Sequence, residues 1–289
     1  MSAVSIGQVD GDGPSAHGIT RGSPVTPAVT DRAPVVVLAC PDSGGPRLLS
    51  LLSASGELAC TSGTGVLPLC DQAAQVWRRA ENGGPRAGRL SSLAARSIRA
   101  SVTPLIMHIL ASAGAQRWCE LAVPAREAAE AFLGLFPGTR FVCLHREASQ
   151  VIRAALARSP WGLAGPAYQP FIAAHPGSTA AALAAYWIAH TQALLAFEAD
   201  HPDECLRVRF EDLPSAMEST PAALSSFLGL ATRNPSLLGP REDDHAVSAA
   251  DAPPSAALPV DQFPPAVLDQ VNDLLGVLGY PPLAGSRRN

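Results

Sequence analysis

The chain has 289 residues, 47% hydrophobic and 16% charged, with 24 Gly and 27 Pro, enough for one α/β domain or two smaller units at about 150 residues each. All 21 basic residues are Arg, so a P-loop lysine, a Schiff-base lysine and a lysine general base are excluded; Arg stays protonated with a pKa above about 12 and cannot fill the last two roles. A net charge of -4 argues against a nucleic-acid or anionic-membrane binder, which carries a basic patch. Six cysteines show neither a C-x-x-C pair nor zinc-like spacing, so no metal is expected. The first residues lack a basic stretch followed by an apolar one, and no unbroken apolar run nears about 18 residues. A cytoplasmic protein without a membrane span is the expectation.

Residues 1–32 are rich in Gly, Ser, Pro and Thr and read as a disordered tail. The domain is expected over 33–283, with a short tail over 284–289. It starts at Val35-Val36-Val37-Leu38-Ala39-Cys40, a continuous β-branched run that reads as a strand buried on both faces. The turn Pro41 to Pro46 follows, and Arg47-Leu48-Leu49 opens a helix, with Pro46 suited to its first position. Helical stretches are expected at 67–79, 90–113, 125–135, 148–158, 178–199, 220–228 and 265–278. Strands are expected at 118–123, 140–146 and 205–210. Strands separated by helices imply crossovers onto a mostly parallel sheet. Residues 233–259 are polar and Pro-rich, and read as a long mobile loop.

A strand, a Gly-containing turn and a helix start make an anion site by geometry. Free backbone N–H groups and the positive end of the helix dipole point at one spot. The loop Cys40-Pro41-Asp42-Ser43-Gly44-Gly45-Pro46-Arg47 is not a Walker A sequence, nor is it G-x-G-x-x-G.

Three blocks in order carry a resemblance. The first is Pro41, Ser43-Gly44 and Arg47-Leu48-Leu49. The second is Phe136-Pro137-Gly138-Thr139-Arg140-Phe141 continuing to Arg146. The third is Leu206-Arg207-Val208-Arg209-Phe210-Glu211-Asp212-Leu213, with Leu278-Gly279-Tyr280 beyond it. Together they resemble the PAPS-dependent sulfotransferases, most of all the bacterial branch similar to tyrosylprotein sulfotransferases. The resemblance implies a single-domain α/β fold with a P-loop-like, mostly parallel sheet flanked by helices. It also implies sulfuryl transfer from 3′-phosphoadenosine 5′-phosphosulfate (PAPS) to a hydroxyl or amine of a small molecule such as a secondary metabolite, free or on a carrier. Nothing in the sequence fixes the oligomeric state.

On this resemblance, Ser43, Gly44 and Gly45 hold the 5′-phosphosulfate, and Arg146 holds the 3′-phosphate, with Arg153 and Ser149 nearby. Glu120 and Pro124 match a W-x-E-K-T-P block. Four positions depart from the family pattern: Asp42 where Lys or Arg is usual, Gly45-Pro46 for a hydroxyl pair, Leu121 for Lys, and Ala154 for Ser. Arg47 and Arg153 are candidates to restore charge. The Glu base of the tyrosylprotein-like branch has no counterpart in Cys60 to Gly65. The candidate bases are therefore His108, whose imidazole suits the task near neutral pH, and Asp42, with Glu57 a carboxylate close by. Tyr186 and His190 share a helix face at i,i+4 as packing or substrate-wall residues. Glu211 and Asp212 read as structural anchors. The alternatives are an altered catalyst that makes no use of PAPS, with Asp42 as acid or base in cyclisation, dehydration or hydrolysis, and a non-catalytic binding partner.

Overall fold

The apolar run after Pro34 forms the central strand β1 (Val35–Ala39), and each of its residues is buried. Val36 and Leu38 pack with Trp118, Phe132 and Phe141 on one face of the sheet. Val35, Val37 and Ala39 pack with Leu48, Leu51 and Leu52 on the other. A strand covered on both faces has no polar side to show, which is why the run does not alternate. The computed structural model describes residues 33–82, 90–159, 163, 165–213, 222–230, 258 and 260–283. The expected tails lie outside these residues, as does all of the expected loop except Leu258.

Strands β2 (Leu58–Ser62), β3 (Arg117–Ala122), β4 (Arg140–His145) and β5 (Cys205–Arg209) complete a sheet of order β2-β3-β1-β4-β5. Every pairing is parallel. This is the expected α/β architecture in one domain. The chain leaves β1 for the β2 edge, returns to β3, and then crosses β1 to β4. The order thus reverses at β1, and crevices open at the carboxyl ends of strands where an α/β sheet reverses.

The helices are α1 (Gly45–Ser53), α2 (Val66–Asn82), α3 (Ser92–Ala113), α4 (Arg126–Leu135), α5 (Ala148–Arg158), α6 (Gln169–Ala174), α7 (Thr179–Asp200), α8 (Ala222–Leu228) and α9 (Pro265–Val277). Their starts are written in cap residues: Ser91 Oγ accepts from Ala94 N, and Ser178 Oγ from Ala181 N. Glu147 caps α5 by accepting from Ser149 N and Gln150 N. Helix α1 starts two residues earlier than expected, with Pro46 in its first turn.

Two elements depart from expectation by addition. Strand β2 lies at the sheet edge with only Leu58 and Ala59 buried, so Leu58-Ala59-Cys60-Thr61-Ser62 lacks the apolar density of its neighbours. Helix α6 buries no residue. Helix α7 follows the expected span and is unusually apolar. Its 22 residues are long and apolar enough by composition to cross a bilayer, with a best-window mean hydropathy of 1.3. His190, Gln192 and Glu198 break the run and hide it from a count of consecutive apolar residues. Here α7 is a core helix, packed against α4, α5, α6, α9, β4 and β5.

Past β5, Glu211 behaves as the expected anchor. Its carboxylate accepts from Glu147 N at 3.2 Å and from the Tyr280 hydroxyl at 2.6 Å, tying the start of α5 to the segment after α9. The Arg209 guanidinium lies 4.1 Å from the Tyr280 ring centroid. Hydrogen bonds to a charged partner contribute about 1.5–3 kcal/mol. Tyr280→Phe should therefore lower unfolding free energy by about that amount in urea titration; an unchanged midpoint would mean the tie is idle.

Candidate active site

The carboxyl ends of β1, β2 and β3 open on a cleft of about 590 Å³. Its floor is the β1–α1 loop, at Cys40, Pro41, Asp42, Gly45 and Pro46. Its walls are Ser62, Gly63 and Gly65 after β2, the run Glu120 to Ala125, and Arg158 and His190 from α5 and α7.

The loop turns by two left-handed residues, Asp42 at φ 68° and Gly44 at φ 85°. Gly44 also has to be Gly for room, because a Cβ there would lie 2.1 Å from Phe210 Cε2. At Gly45 a Cβ would lie 2.7 Å from Leu121 Cδ1. Ser43 is buried and its N–H donates to Cys40 O at 3.0 Å, closing the turn. No side chain caps α1, so the positive end of its dipole is left for a ligand. Asp42 is the one left-handed non-glycine among the described residues. A non-glycine residue held there costs of order 1–3 kcal/mol, and such strain collects at functional sites.

Asp42 was the chief objection to an anion in this loop, and Arg158 answers it. Arg158 reaches from the end of α5 and donates through both Nη atoms to the Asp42 carboxylate, with Nη2 to Oδ2 at 2.7 Å. The Asp42 charge is thus balanced by a guanidinium from 116 residues away in sequence. Burial raises the Asp42 pKa, and the charges of Arg158 and Arg146 lower it; the net shift is upward.

Arg146, at the end of β4, is buried and donates from Nη1 to Asp42 O at 3.1 Å and from Nε to Gln150 Oε1 at 3.2 Å. Its guanidinium lies 3.9 Å from the Phe210 ring centroid, and that of Arg47 lies 5.3 Å from the same ring. One aromatic ring therefore seats two cations beside the loop. Arg153 donates to Ser149 O and, at 2.8 Å, to Ser149 Oγ, which in turn donates to Glu147. The structure brings Asp42, Ser43, Gly44, Gly45, Arg47 and Arg146 together around the loop, with Arg153 on the first turns of α5.

His108 is not brought there. It is exposed on α3, whose core-facing residues are Ala94, Ile98, Val102 and Ile106. The apolar neighbours of His108 suggested a buried or reactive imidazole, but the helical period turns it to solvent. It lies in the last two turns of α3, which lead into the amino-terminal end of β3, away from the carboxyl ends that line the cleft. Glu57 likewise precedes β2 at that far end, where its carbonyl accepts from Gln116 N and Arg117 N.

Two further residues line the cleft: Glu120, which matched the W-x-E-K-T-P block, and His190, read from the sequence as a packing or substrate-wall residue. Glu120 is buried at the cleft wall and accepts from Thr61 Oγ1 at 2.5 Å and from Thr64 N and Oγ1 at 2.9 Å each. Trp118 Nε1 donates to Thr61 Oγ1 at 2.7 Å and steadies the group. The loop after β2 is thus held by a carboxylate from β3. His190 is half-buried in the wall, with Nδ1 3.0 Å from Pro124 O and its ring edge-on to Tyr186 at 4.2 Å. Burial lowers its pKa from 6.5, against a smaller opposing pull from the Pro124 carbonyl.

The sequence profile described as the sulfotransferase family matches residues 34–234. The chain belongs to the sulfotransferase family. Its fold is similar to the sulfotransferase domain from the curacin biosynthetic pathway, at 14% identity and a TM-score of 0.58, covering 87% of this chain and 99% of that one. A sulfotransferase from Alicyclobacillus acidocaldarius matches at 10% identity and a TM-score of 0.47, over 86% of this chain and 96% of that one. No curated protein matches by sequence. Within this chain, the three sequence blocks fall on the β1–α1 loop, on β4 with the turn before it, and on β5 with the turn after it, which are the parts that meet at Phe210, Arg146 and Asp42.

Proposed function

We propose that the protein transfers a sulfuryl group from PAPS to a hydroxyl or amine of a small molecule. The observation that carries this reading is the uncapped start of α1 with Arg146 and Arg158 drawn to its loop. Oriented N–H groups and guanidinium forks are the donors an anionic nucleotide needs. Gly44 and Gly45 would serve the 5′ end through their backbone, and Arg146 with Arg153 the 3′-phosphate. PAPS supplies an activated sulfuryl group, and the protein's share is positioning and charge stabilisation, as in phosphoryl transfer. Asp42 does not act as a free acid or base in this reading, because both its oxygens are engaged by Arg158.

The acceptor side is apolar. Leu67, Pro68, Leu121, Val123 and Pro124 line the cleft, and Leu121 stands where relatives with the W-x-E-K-T-P block carry a cation. An uncharged acceptor fits these walls, since an anion there would lose its hydration without a partner. Placement in the tyrosylprotein-like branch rests on the sequence blocks alone, and a secondary metabolite is the acceptor class of this reading.

Calorimetric titration with 3′-phosphoadenosine 5′-phosphate (PAP) tests the reading. Binding in the micromolar range is expected, and no heat at millimolar nucleotide would overturn it.

A further inference from the structure

We infer that His190 is the catalytic base of this cleft and takes the acceptor's hydroxyl proton on Nε2. The inference rests on the sulfuryl-transfer reading and deepens it. The titratable groups along the cleft are Cys40, Asp42, Glu120, Arg158 and His190. Burial pushes the Cys40 thiol far up, so it stays protonated. Asp42 and Arg158 hold each other. Glu120 is filled by three donors from Thr61 and Thr64. His190 differs from all of these in the kind of partner it has.

Its Nδ1 faces a backbone carbonyl, Pro124 O, at 3.0 Å. A carbonyl only accepts, so Nδ1 carries the hydrogen and the lone pair resides on Nε2. A backbone bond on one ring nitrogen that leaves the other basic is the usual arrangement of a working imidazole. The Tyr186 ring packs on the imidazole from one turn earlier and fixes its plane. The charged groups sharing the cleft are Glu120 on β3, Asp42 on the β1–α1 loop and Arg158 on α5, while α4 and the residue before it present uncharged Ala128 and Ala125.

The step balances as follows. The acceptor O–H breaks with its proton moving to Nε2, an O–S bond forms to the sulfuryl group, and the S–O bond to the donor phosphate breaks, with its electrons leaving on that phosphate. Because burial lowers the His190 pKa, the neutral, basic form persists to pH values below 6.5, and transfer should fail only as pH drops through that lowered value.

NMR of the protein labelled at histidine nitrogens reads the ring directly. The expected result at neutral pH is an unprotonated Nε2 with Nδ1–H, titrating below the free imidazole; an Nε2–H tautomer or an imidazolium overturns the inference. Kinetics of His190→Gln give a second readout with two probe acceptors. Transfer to benzyl alcohol should fall by roughly 10²–10⁴-fold, while p-nitrophenol, already largely ionised at about pH 8, should react near the wild-type rate. An equal fall for both acceptors would mark a structural role, and no fall for either would remove His190 from the chemistry. Failure of the wild-type protein to bind PAP would instead sink the sulfuryl-transfer reading, and the NMR result would stand apart from it.

Discussion

Arg146→Ala is expected to weaken PAP binding by about two to three orders of magnitude, since losing a buried, hydrogen-bonded charge partner costs 2–5 kcal/mol. The side chain is buried, and its guanidinium is held over the Phe210 ring and by bonds to Asp42 O and Gln150. A cation set so firmly into a desolvated place is pre-organised for an anion, so little ordering cost remains when one arrives. Comparing PAP with adenosine 5′-phosphate, which lacks the 3′-phosphate, tests whether Arg146 serves that phosphate. Wild-type protein should prefer PAP strongly, and the Ala variant should lose the preference while keeping its weak affinity for the simpler nucleotide. Arg146→Lys should fall between the two, because it retains charge but loses the planar stack and the fork. Calorimetry with both nucleotides decides it. If affinity for both falls in parallel, Arg146 shapes the loop and leaves the 3′-phosphate to another residue.

Most of the fold was legible because it is written in local signals. The apolar run at Val35–Ala39, the caps Ser91 and Ser178, and the turns before β4 and β5 each constrain the backbone within a few residues. The edge strand β2 and helix α6 were not legible, because neither buries a full apolar face. For the candidate site, the loop geometry was visible as a strand, a glycine turn and a helix start. Its charge balance was not. Arg158 ends a helix, where a basic residue normally complements the dipole, so nothing local marks it as the partner of Asp42. The same holds for Glu120, whose partners Thr61 and Thr64 lie on another strand and the loop after it. His108 shows the converse failure: apolar neighbours in sequence mean little until the helical period says which of them face the core. The absence of Lys also changes in meaning. At position 42 a carboxylate pairs with Arg158, and at position 121 an apolar side chain lines the cleft.

The Asp42–Arg158 pair should respond asymmetrically to mutation. The Asp42 side chain is 9% exposed and that of Arg158 is 56% exposed. Arg158→Ala strands a carboxylate in a desolvated turn, whereas Asp42→Asn leaves a guanidinium that water can reach. Breaking a fully buried pair costs about 3–5 kcal/mol, and the exposure of Arg158 reduces this to about 2 kcal/mol here. Asp42→Asn should cost less than about 1 kcal/mol. The pH dependence follows from the upward shift of Asp42, in which burial outweighs the two guanidiniums. A carboxyl with a raised folded pKa favours the fold most below its unfolded value of 3.8 and loses that contribution as pH rises through the folded value. Arg158→Ala removes a lowering influence, raises the folded pKa further, and should make the protein's stability fall more steeply across the mildly acidic range. Asp42→Asn should abolish that slope, alone or combined with Arg158→Ala. For binding, Arg158→Ala should weaken PAP about 10- to 100-fold, and Asp42→Asn should tighten it by releasing Arg158 toward the anion. Urea titrations from pH 4 to 8 on the four proteins of this cycle, with calorimetry at pH 7, measure both coupling energies. Additive effects would show that the two charges act independently and that the loop does not draw its cation from α5.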